Sequence, residues 1–202
     1  NKMTGNLYSV VAVIGDGSLV EGMSFEGLNY AAQEKLPLII VINDNGMAIA
    51  PNVGGIKTMF EGSDWKERSS AWFTGMGYGY IPVEDGHNIE LLVDAFEMAR
   101  SQNRSTPIVV HVKTEKGKGL SIAGEHPYKL HFSMPFDAKS GKGISATPVG
   151  ESFQAIVGEK LADFMDDDPE VFALTPATPY ASGIEALIKK YPERTIDVGM
   201  AE

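Results

Sequence analysis

Blocks of apolar and polar residues alternate along the chain and predict strands and helices in turn. Val10–Ile14, Leu38–Ile42 and Pro107–Thr114 are short runs rich in β-branched residues with few polar side chains. Such runs are typical of strands buried on both faces of a parallel sheet. Helical spacing follows the first strand and recurs over Ile89–Ser101, where Asn88 is the predicted N-cap. The pattern predicts an α/β fold with a doubly wound, mostly parallel sheet.

The first two strands and the helix between them form a predicted β-α-β unit. The helical residues that we expect to face the sheet are Met23, Leu28, Ala31 and Ala32. A short helix over Lys66–Thr74 is expected to carry Trp72 and Phe73 inward. Both predictions place apolar helical faces against the strands.

Composition divides the chain into two predicted domains. Residues 1–137 contain the buried strands, and residues 138–150 are rich in Gly, Ser, Lys and Pro, as linkers are. Ser152 then offers a cap for a helix through Met165, with Ile156, Val157 and Leu161 on its apolar face. Two further predicted strands flank another helix, so residues 151–202 are expected to begin a second α/β domain.

Polar, turn-forming residues follow the first two strands. Gly15-Asp16-Gly17 comes directly after one strand, and Asn43-Asp44-Asn45-Gly46 ends the other. Ligands of open parallel sheets bind beyond the carboxyl ends of the strands, where both turns are expected to lie. Gly15 and Gly17 allow the backbone to approach a phosphate, and the N–H groups that lead into the next helix favour negative charge.

The same turns carry oxygen ligands suited to a hard cation. Asp16 supplies a carboxylate oxygen, Asn45 an amide oxygen and Met47 a main-chain carbonyl oxygen. Together with diphosphate oxygens and water, these would complete the octahedral shell that Mg²⁺ requires. The turns therefore predict a metal-diphosphate site, whereas ATP and dinucleotide motifs are absent from the sequence.

Charge and cysteine content narrow the function. The net charge is −10, from 17 basic and 27 acidic side chains, which disfavours nucleic-acid and anionic-membrane partners. The absence of cysteine excludes disulfides and thiolate metal sites. No apolar run reaches the ~20 residues of a membrane span, and no signal peptide is visible. We expect a cytoplasmic enzyme, and we interpret the Asn at position 1 and the strand-like end at Glu202 as marks of a piece of a longer protein.

Three further positions have two interpretations each. The lysines of Glu115–Gly119 suit a phosphate or carboxylate partner, or they form a solvated basic turn. His131 lies among aromatic and apolar residues, where a packed histidine is more common than a catalytic one. His87 follows a predicted strand, where it stabilises a turn or contacts substrate.

These motifs resemble those of the thiamine-diphosphate enzymes related to transketolase. The matching segments are VAVIGDG, FEGLN, INDNGMAIAPNVG, YIPVEDGHN, TEKGKG, HFSMPFD and TPA…SG…KKYPERTIDVGMAE. They spread across nearly the whole chain in order, and in detail they are most similar to 1-deoxy-D-xylulose-5-phosphate synthases. The resemblance implies the thiamine-diphosphate-binding fold, with residues 1–137 as the diphosphate domain without its N-terminal part and residues 151–202 as the start of the pyrimidine domain.

The resemblance also implies roles for individual residues. Mg²⁺ would bind Asp16, Asn45 and the Met47 carbonyl. Glu202 and His131 would be catalytic, with Glu202 paired to the aminopyrimidine ring of thiamine diphosphate. The implied cofactor contacts are Gly15, Gly17, Ser18, Asn45, Lys116, Leu120 and Glu202, and at Leu120 the family usually has an aromatic residue.

The family's reaction condenses pyruvate with D-glyceraldehyde 3-phosphate and releases carbon dioxide, and its members are homodimers. By this resemblance, we expect the 202 residues to lack the family's upstream segment with its histidine and most of the pyrimidine domain. The interval between Gly55 and Tyr80 is also shorter than usual in the family. We therefore expect the 202-residue chain alone to be inactive. The alternatives are a transketolase-like or 2-oxo-acid dehydrogenase-like thiamine enzyme, and a non-catalytic cofactor-binding subunit.

Overall fold

The computed structural model describes residues 8–102, 105–125, 128, 130–131, 135–137, 139–143 and 152–201. The chain forms two compact units. Unit 1 comprises Asn1–Ala48 and Asn52–Glu115, and unit 2 comprises Ile49–Pro51 and Lys116–Glu202. The predicted linker over residues 138–150 stays a prediction, since most of it lies outside the described residues.

Unit 1 contains a four-stranded parallel sheet with the strand order β1-β2-β4-β3. The strands are β1 (Val10–Gly15), β2 (Leu38–Asp44), β3 (Gly79–Val83) and β4 (Ile108–Lys113). A short 3-10 helix (Ser18–Val20) precedes α1 (Gly22–Gln33), and α2 (Gly55–Phe60), α3 (Trp65–Gly75) and α4 (Ile89–Gln102) follow. Asn88 accepts hydrogen bonds from the N–H groups of Glu90 and Leu91, which confirms the predicted cap of α4.

Helices cover both faces of this sheet. On one face, Ile40 and Ile42 of β2 pack in a cluster with Leu28 of α1 and Phe73 of α3. On the other face, Ile39 and Val41 pack with residues of α4, including Ala95 and Ala99. Successive side chains of β2 thus pack into two different apolar clusters, which explains the continuous apolar run of this strand. Helices on both faces confirm the doubly wound arrangement.

Burial differs from the prediction at β1 and α1. Within the described residues β1 pairs with β2 alone, so it is an edge strand, and Val13 is 73% exposed. The apolar run correctly predicted a strand, but the prediction that both of its faces are buried is wrong for these residues. Met23 is 78% exposed because it lies on the outer side of α1, whereas Leu28 and Ala31 are buried as predicted.

Unit 2 contains α5 (Ser121–Glu125), α6 (Phe153–Asp167), β5 (Ala173–Thr175), α7 (Glu185–Lys190) and β6 (Thr195–Asp197). The two strands pair in parallel over a core of Met165, Ala173, Ile184 and Leu187. Ser152 Oγ accepts a hydrogen bond from the N–H of Ala155 at 3.2 Å, which confirms the predicted cap.

The packed face of α6 differs from the predicted one. Val157 is 55% exposed, and Ile156 is exposed as well, whereas Gly158 and Met165 are buried and Leu161 packs against the core. The main chain of Gly158 approaches Gly183 so closely that a methyl group would lie 2.3 Å from the Gly183 carbonyl oxygen. This backbone contact directs the Gly158 side of the helix inward.

None of the helices that the structure describes combines the length and apolar character that a bilayer crossing requires.

Candidate metal and diphosphate site

Asp16 is the centre of the candidate site, at the carboxyl end of β1. Its side chain is 3% exposed. Oδ1 accepts a hydrogen bond from the N–H of Gly17 at 3.0 Å, and Oδ2 accepts one from the N–H of Gly46 at 2.7 Å. Because Gly46 follows β2, the structure brings the two predicted turns together. Asn52 adds a third donor, with its Nδ2 at 2.8 Å from Oδ2.

Gly17 and Ser18 lead from Asp16 into the 3-10 helix. Gly17 is buried, and an added Cβ would lie 2.8 Å from the Cβ of Ala48. Ser18 is exposed, and its carbonyl oxygen accepts a hydrogen bond from Ser24 Oγ at 2.7 Å. Gly15 differs from Gly17, since nothing lies within 4 Å of a Cβ at that position. Of these two glycines, Gly17 is therefore the one that the packing of neighbouring residues requires.

Asn45 and Met47 lie in the turn after β2. Asn45 Oδ1 accepts a hydrogen bond from the N–H of Met47 at 3.1 Å, which closes a local turn. An amide oxygen has two lone pairs, so this bond leaves capacity for a second partner. Both residues are partly exposed, as ligands of an incoming ion would be.

A buried polar network that the sequence analysis missed lies behind Asp16. Asp44 Oδ2 lies 2.7 Å from His111 Nε2 and also accepts a hydrogen bond from Lys113 Nζ. His111 is fully buried, and its Nδ1 lies 2.8 Å from the hydroxyl of Tyr80. The sequence carries one signal for this network, namely polar residues at the end of a buried strand, whereas the apolar run of β4 predicts the strand alone.

The pKa values of Asp16 and Asp44 shift in opposite directions. Burial, followed by the negative charge of Asp44, raises the pKa of Asp16 to about 6, although the N–H groups of Gly46 and Gly17 oppose the shift. Burial also disfavours the charged form of Asp44, but hydrogen bonds from His111 and Lys113 outweigh it and lower its pKa. Burial lowers the pKa of His111, so we assign its neutral form with the proton on Nε2.

The residues of this site fit a divalent cation with a bound diphosphate. Among the described residues, the groups that bond to the buried Asp16 carboxylate are uncharged N–H donors, one on Oδ1 and two on Oδ2, so Oδ1 keeps a lone pair for a cation. In the part of the chain that the structure describes, no group of three or more His, Cys, Asp or Glu side chains could hold a metal ion. A cation here would therefore depend on amide, carbonyl and diphosphate oxygens in addition to Asp16.

The other predicted site residues belong to unit 2. Lys116 Nζ lies 2.8 Å from His131 Nδ1. An ammonium group only donates, so a neutral His131 accepts at Nδ1 and carries its proton on Nε2. Desolvation and the charge of Lys116 lower the pKa of His131. Leu120 is exposed just before α5, and Glu202 lies outside the described residues.

His87 joins two strand ends within unit 1. Its Nε2 accepts a hydrogen bond from the N–H of Glu115 at 2.8 Å, and its own N–H donates to Asp85 Oδ1 at 2.9 Å. Of the two interpretations given above, this geometry supports turn stabilisation. Beyond Glu115, Gly117 and Gly119 both have positive φ angles, which explains why glycines occur in the lysine-containing turn.

The sequence that builds this site is similar to those of known proteins. Residues 1–69 match the family model described as 1-deoxy-D-xylulose-5-phosphate synthase. The synthase of Myxococcus xanthus is 38% identical over 100% of this chain and 34% of its own length. The synthase of Symbiobacterium thermophilum is 34% identical over 99% of this chain and 36% of its own length. This chain thus spans about a third of the length of these curated relatives, and the predicted resemblance is confirmed along all of it.

Among solved structures, transketolase from Leishmania mexicana is similar, with a TM-score of 0.41 and 24% sequence identity. The match covers 52% of this chain and 15% of the transketolase chain.

Proposed function

We propose, from its similarity to 1-deoxy-D-xylulose-5-phosphate synthases along the whole chain, that this protein carries the Mg²⁺ and diphosphate site of such a synthase. The proposed activity is the thiamine-diphosphate-dependent condensation of pyruvate with D-glyceraldehyde 3-phosphate, with release of carbon dioxide. It would supply the first intermediate of non-mevalonate isoprenoid biosynthesis. We also propose that the protein is cytoplasmic and forms a homodimer.

One observation carries the proposal: Asp16 and the Asn45-Gly46 turn meet at the carboxyl ends of neighbouring strands. The contact between Asp16 Oδ2 and the N–H of Gly46 is 2.7 Å long. It joins residues 30 positions apart that the sequence had identified separately. A buried carboxylate at such a strand end suits a hard cation better than a hydrophobic ligand.

The residues of unit 1 would bind and orient the cofactor. Asp16, Asn45 and the Met47 carbonyl would hold Mg²⁺. Backbone N–H groups near Gly17 and Ser18 would accommodate the diphosphate oxygens, and Gly15 leaves space for their approach. Thiamine diphosphate, when bound, supplies the carbon nucleophile and the electron sink of the reaction.

The residues of unit 2 would contact both the substrates and the cofactor. With Nδ1 directed at Lys116, a neutral His131 presents Nε2–H as a hydrogen-bond donor for a substrate oxygen. Lys116 and Leu120 would contribute to the cofactor pocket. Glu202 would orient the aminopyrimidine ring by a charge-assisted hydrogen bond.

Calorimetric titration of thiamine diphosphate tests the proposal. The full-length protein and an Asp16→Ala variant are titrated with and without Mg²⁺. We expect binding that requires Mg²⁺ and is lost in the variant, followed by product analysis with pyruvate and D-glyceraldehyde 3-phosphate. Binding that is unaffected by either change contradicts the metal-diphosphate site and favours a non-catalytic role. A different acceptor product would indicate a transketolase-like or 2-oxo-acid dehydrogenase-like enzyme.

A further inference from the structure

Asp44 is a second buried carboxyl beside the proposed cation site, and the ligand set does not use it. It ends β2 and is 3% exposed, and the carbonyl of its neighbour Asn43 accepts a hydrogen bond from the Asp16 N–H at 3.2 Å, so the two carboxyl groups stand at adjacent strand ends. Two buried carboxylates repel each other unless positive charge compensates them. The arrangement therefore needs a physical explanation.

Side chains from β4 fix the position of Asp44. The neighbouring strands place Asp44 opposite Lys113 and Ile42 opposite His111. Both His111 Nε2 and Lys113 Nζ bond to the same carboxylate oxygen, Oδ2. Phe60 and Trp65 contact the His111 ring, with centroid distances of 4.3 and 4.8 Å. Asp44 is therefore held by two donors, and one of them, His111, is itself packed against two aromatic rings.

The charges of the network do not cancel. Lys113 contributes one positive charge against the two carboxylates, and a buried neutral His111 adds none. With both carboxyls ionised, the region keeps one excess negative charge. A divalent cation would convert this excess into one positive charge, which suits a diphosphate anion. Lys113 is itself anchored by the carbonyl of Phe60 and lies over the Trp65 ring.

We propose that Asp44 and Lys113 are positioning residues that set the charge of the cation site from behind Asp16. Asp44 adds a fixed negative charge that strengthens cation binding. The positive charge of Lys113 partly compensates it and so weakens cation binding. This inference rests on the proposed function, because it assumes that a cation binds at Asp16.

Charge-altering variants of the full-length protein test the inference. The probe is Mn²⁺ in the presence of saturating thiamine diphosphate, and the measurement is electron paramagnetic resonance at pH 8. This pH lies far above the ordinary range of carboxyl pKa values, so the measurement is made with ionised carboxylates. We expect Asp44→Asn to weaken Mn²⁺ binding about tenfold or more. Lys113→Met should tighten it severalfold. A purely structural role predicts that both variants weaken binding.

Exposed ion pairs provide matched controls. Asp64→Asn and Lys66→Met alter charges that pair at the surface with Arg68 and Glu84, and we expect both to bind Mn²⁺ like the native protein. If Asp44→Asn does not fold, Lys113→Met decides alone. Equal or weaker binding by that variant contradicts the inference. Absence of Mn²⁺ binding by the native protein contradicts the proposed function and the inference with it, whereas native binding with equal affinity in both variants contradicts the inference alone.

Discussion

Asn52 shows how a single side chain supports the proposed site without belonging to the predicted ligand set. Two of the hydrogen bonds to Asp16 come from the main chain, but the third comes from Asn52 Nδ2. The backbone N–H of Asn52 also donates to the Gly46 carbonyl oxygen at 2.9 Å. Asn52 therefore links the Asp16 carboxylate to the turn that follows β2.

We expect Asn52→Ala to weaken Mg²⁺-dependent binding of thiamine diphosphate by about ten- to hundredfold, as removal of an outer-shell partner typically does. The main-chain donors would remain, so the fold should persist. Isothermal calorimetry measures the affinity, and Asn29→Ala on the exposed side of α1 is the control. Native affinity in Asn52→Ala would show that the carboxylate is oriented without this side chain.

Alanine substitutions of the two glycines beside Asp16 should affect the free energy of unfolding and diphosphate binding differently. A methyl group at Gly17 would overlap Ala48, so Gly17→Ala should lower the free energy of unfolding by about 1–3 kcal/mol. A methyl group at Gly15 meets no atom within 4 Å, so Gly15→Ala should change it by less than about 0.5 kcal/mol. Gly15→Ala should nevertheless weaken diphosphate binding, because the methyl group occupies the proposed approach to the backbone. Urea unfolding and calorimetry measure the two effects, and equal losses of stability would contradict this distinction.

At single residues, the sequence revealed the chemistry but not every partner. Asp16 and Asn45 were recognised because turn residues directly follow apolar runs. The Asp44–His111 pair was missed because its members are 67 positions apart. Their contact depends on the register between β2 and β4, which the local pattern does not contain.

Helix α6 packs through its backbone, and a pair of glycine substitutions tests this. A Cβ at Gly158 would lie 2.3 Å from the Gly183 carbonyl oxygen, which a shift of main chain alone can relieve. We expect Gly158→Ala to destabilise the protein by about 1–3 kcal/mol. Gly27 of α1 has nothing within 4 Å, so Gly27→Ala should stabilise by up to about 1 kcal/mol through helix propensity. Chemical denaturation distinguishes the opposite signs, and a stabilising Gly158→Ala would contradict the close contact.

Element type was predictable because it depends on local periodicity, whereas burial depends on neighbours. The apolar runs at β2 and β4 predicted central strands correctly, since both strands have partners on two sides. The similar run at β1 predicted the strand but not its exposed edge. In α6 the bulky Ile156 and Val157 suggested the wrong inward face, because the close approach at Gly158 decides the packing.

Across the whole molecule, the predicted site residues divide between the two units. Asp16, Asn45 and Met47 belong to unit 1, and Lys116, Leu120 and His131 belong to unit 2. Residue spacing predicted the first group, whereas the second depended on resemblance to a family. The proposed roles of the two groups therefore rest on different grounds, and the curated relatives are about three times as long as this chain.

Because the chain spans about a third of the length of its curated relatives, we make a prediction about the isolated 202 residues. We expect it to release no carbon dioxide from pyruvate when thiamine diphosphate, Mg²⁺ and D-glyceraldehyde 3-phosphate are present. The described part of the chain supplies the proposed diphosphate site, but it spans only about a third of the related synthases. Capture of labelled carbon dioxide measures the activity, with the full-length Myxococcus xanthus synthase assayed in parallel. Pyruvate-dependent release above the rate without protein would show that these 202 residues already contain a working site, and the roles assigned to Lys116 and His131 would then be testable within the chain itself.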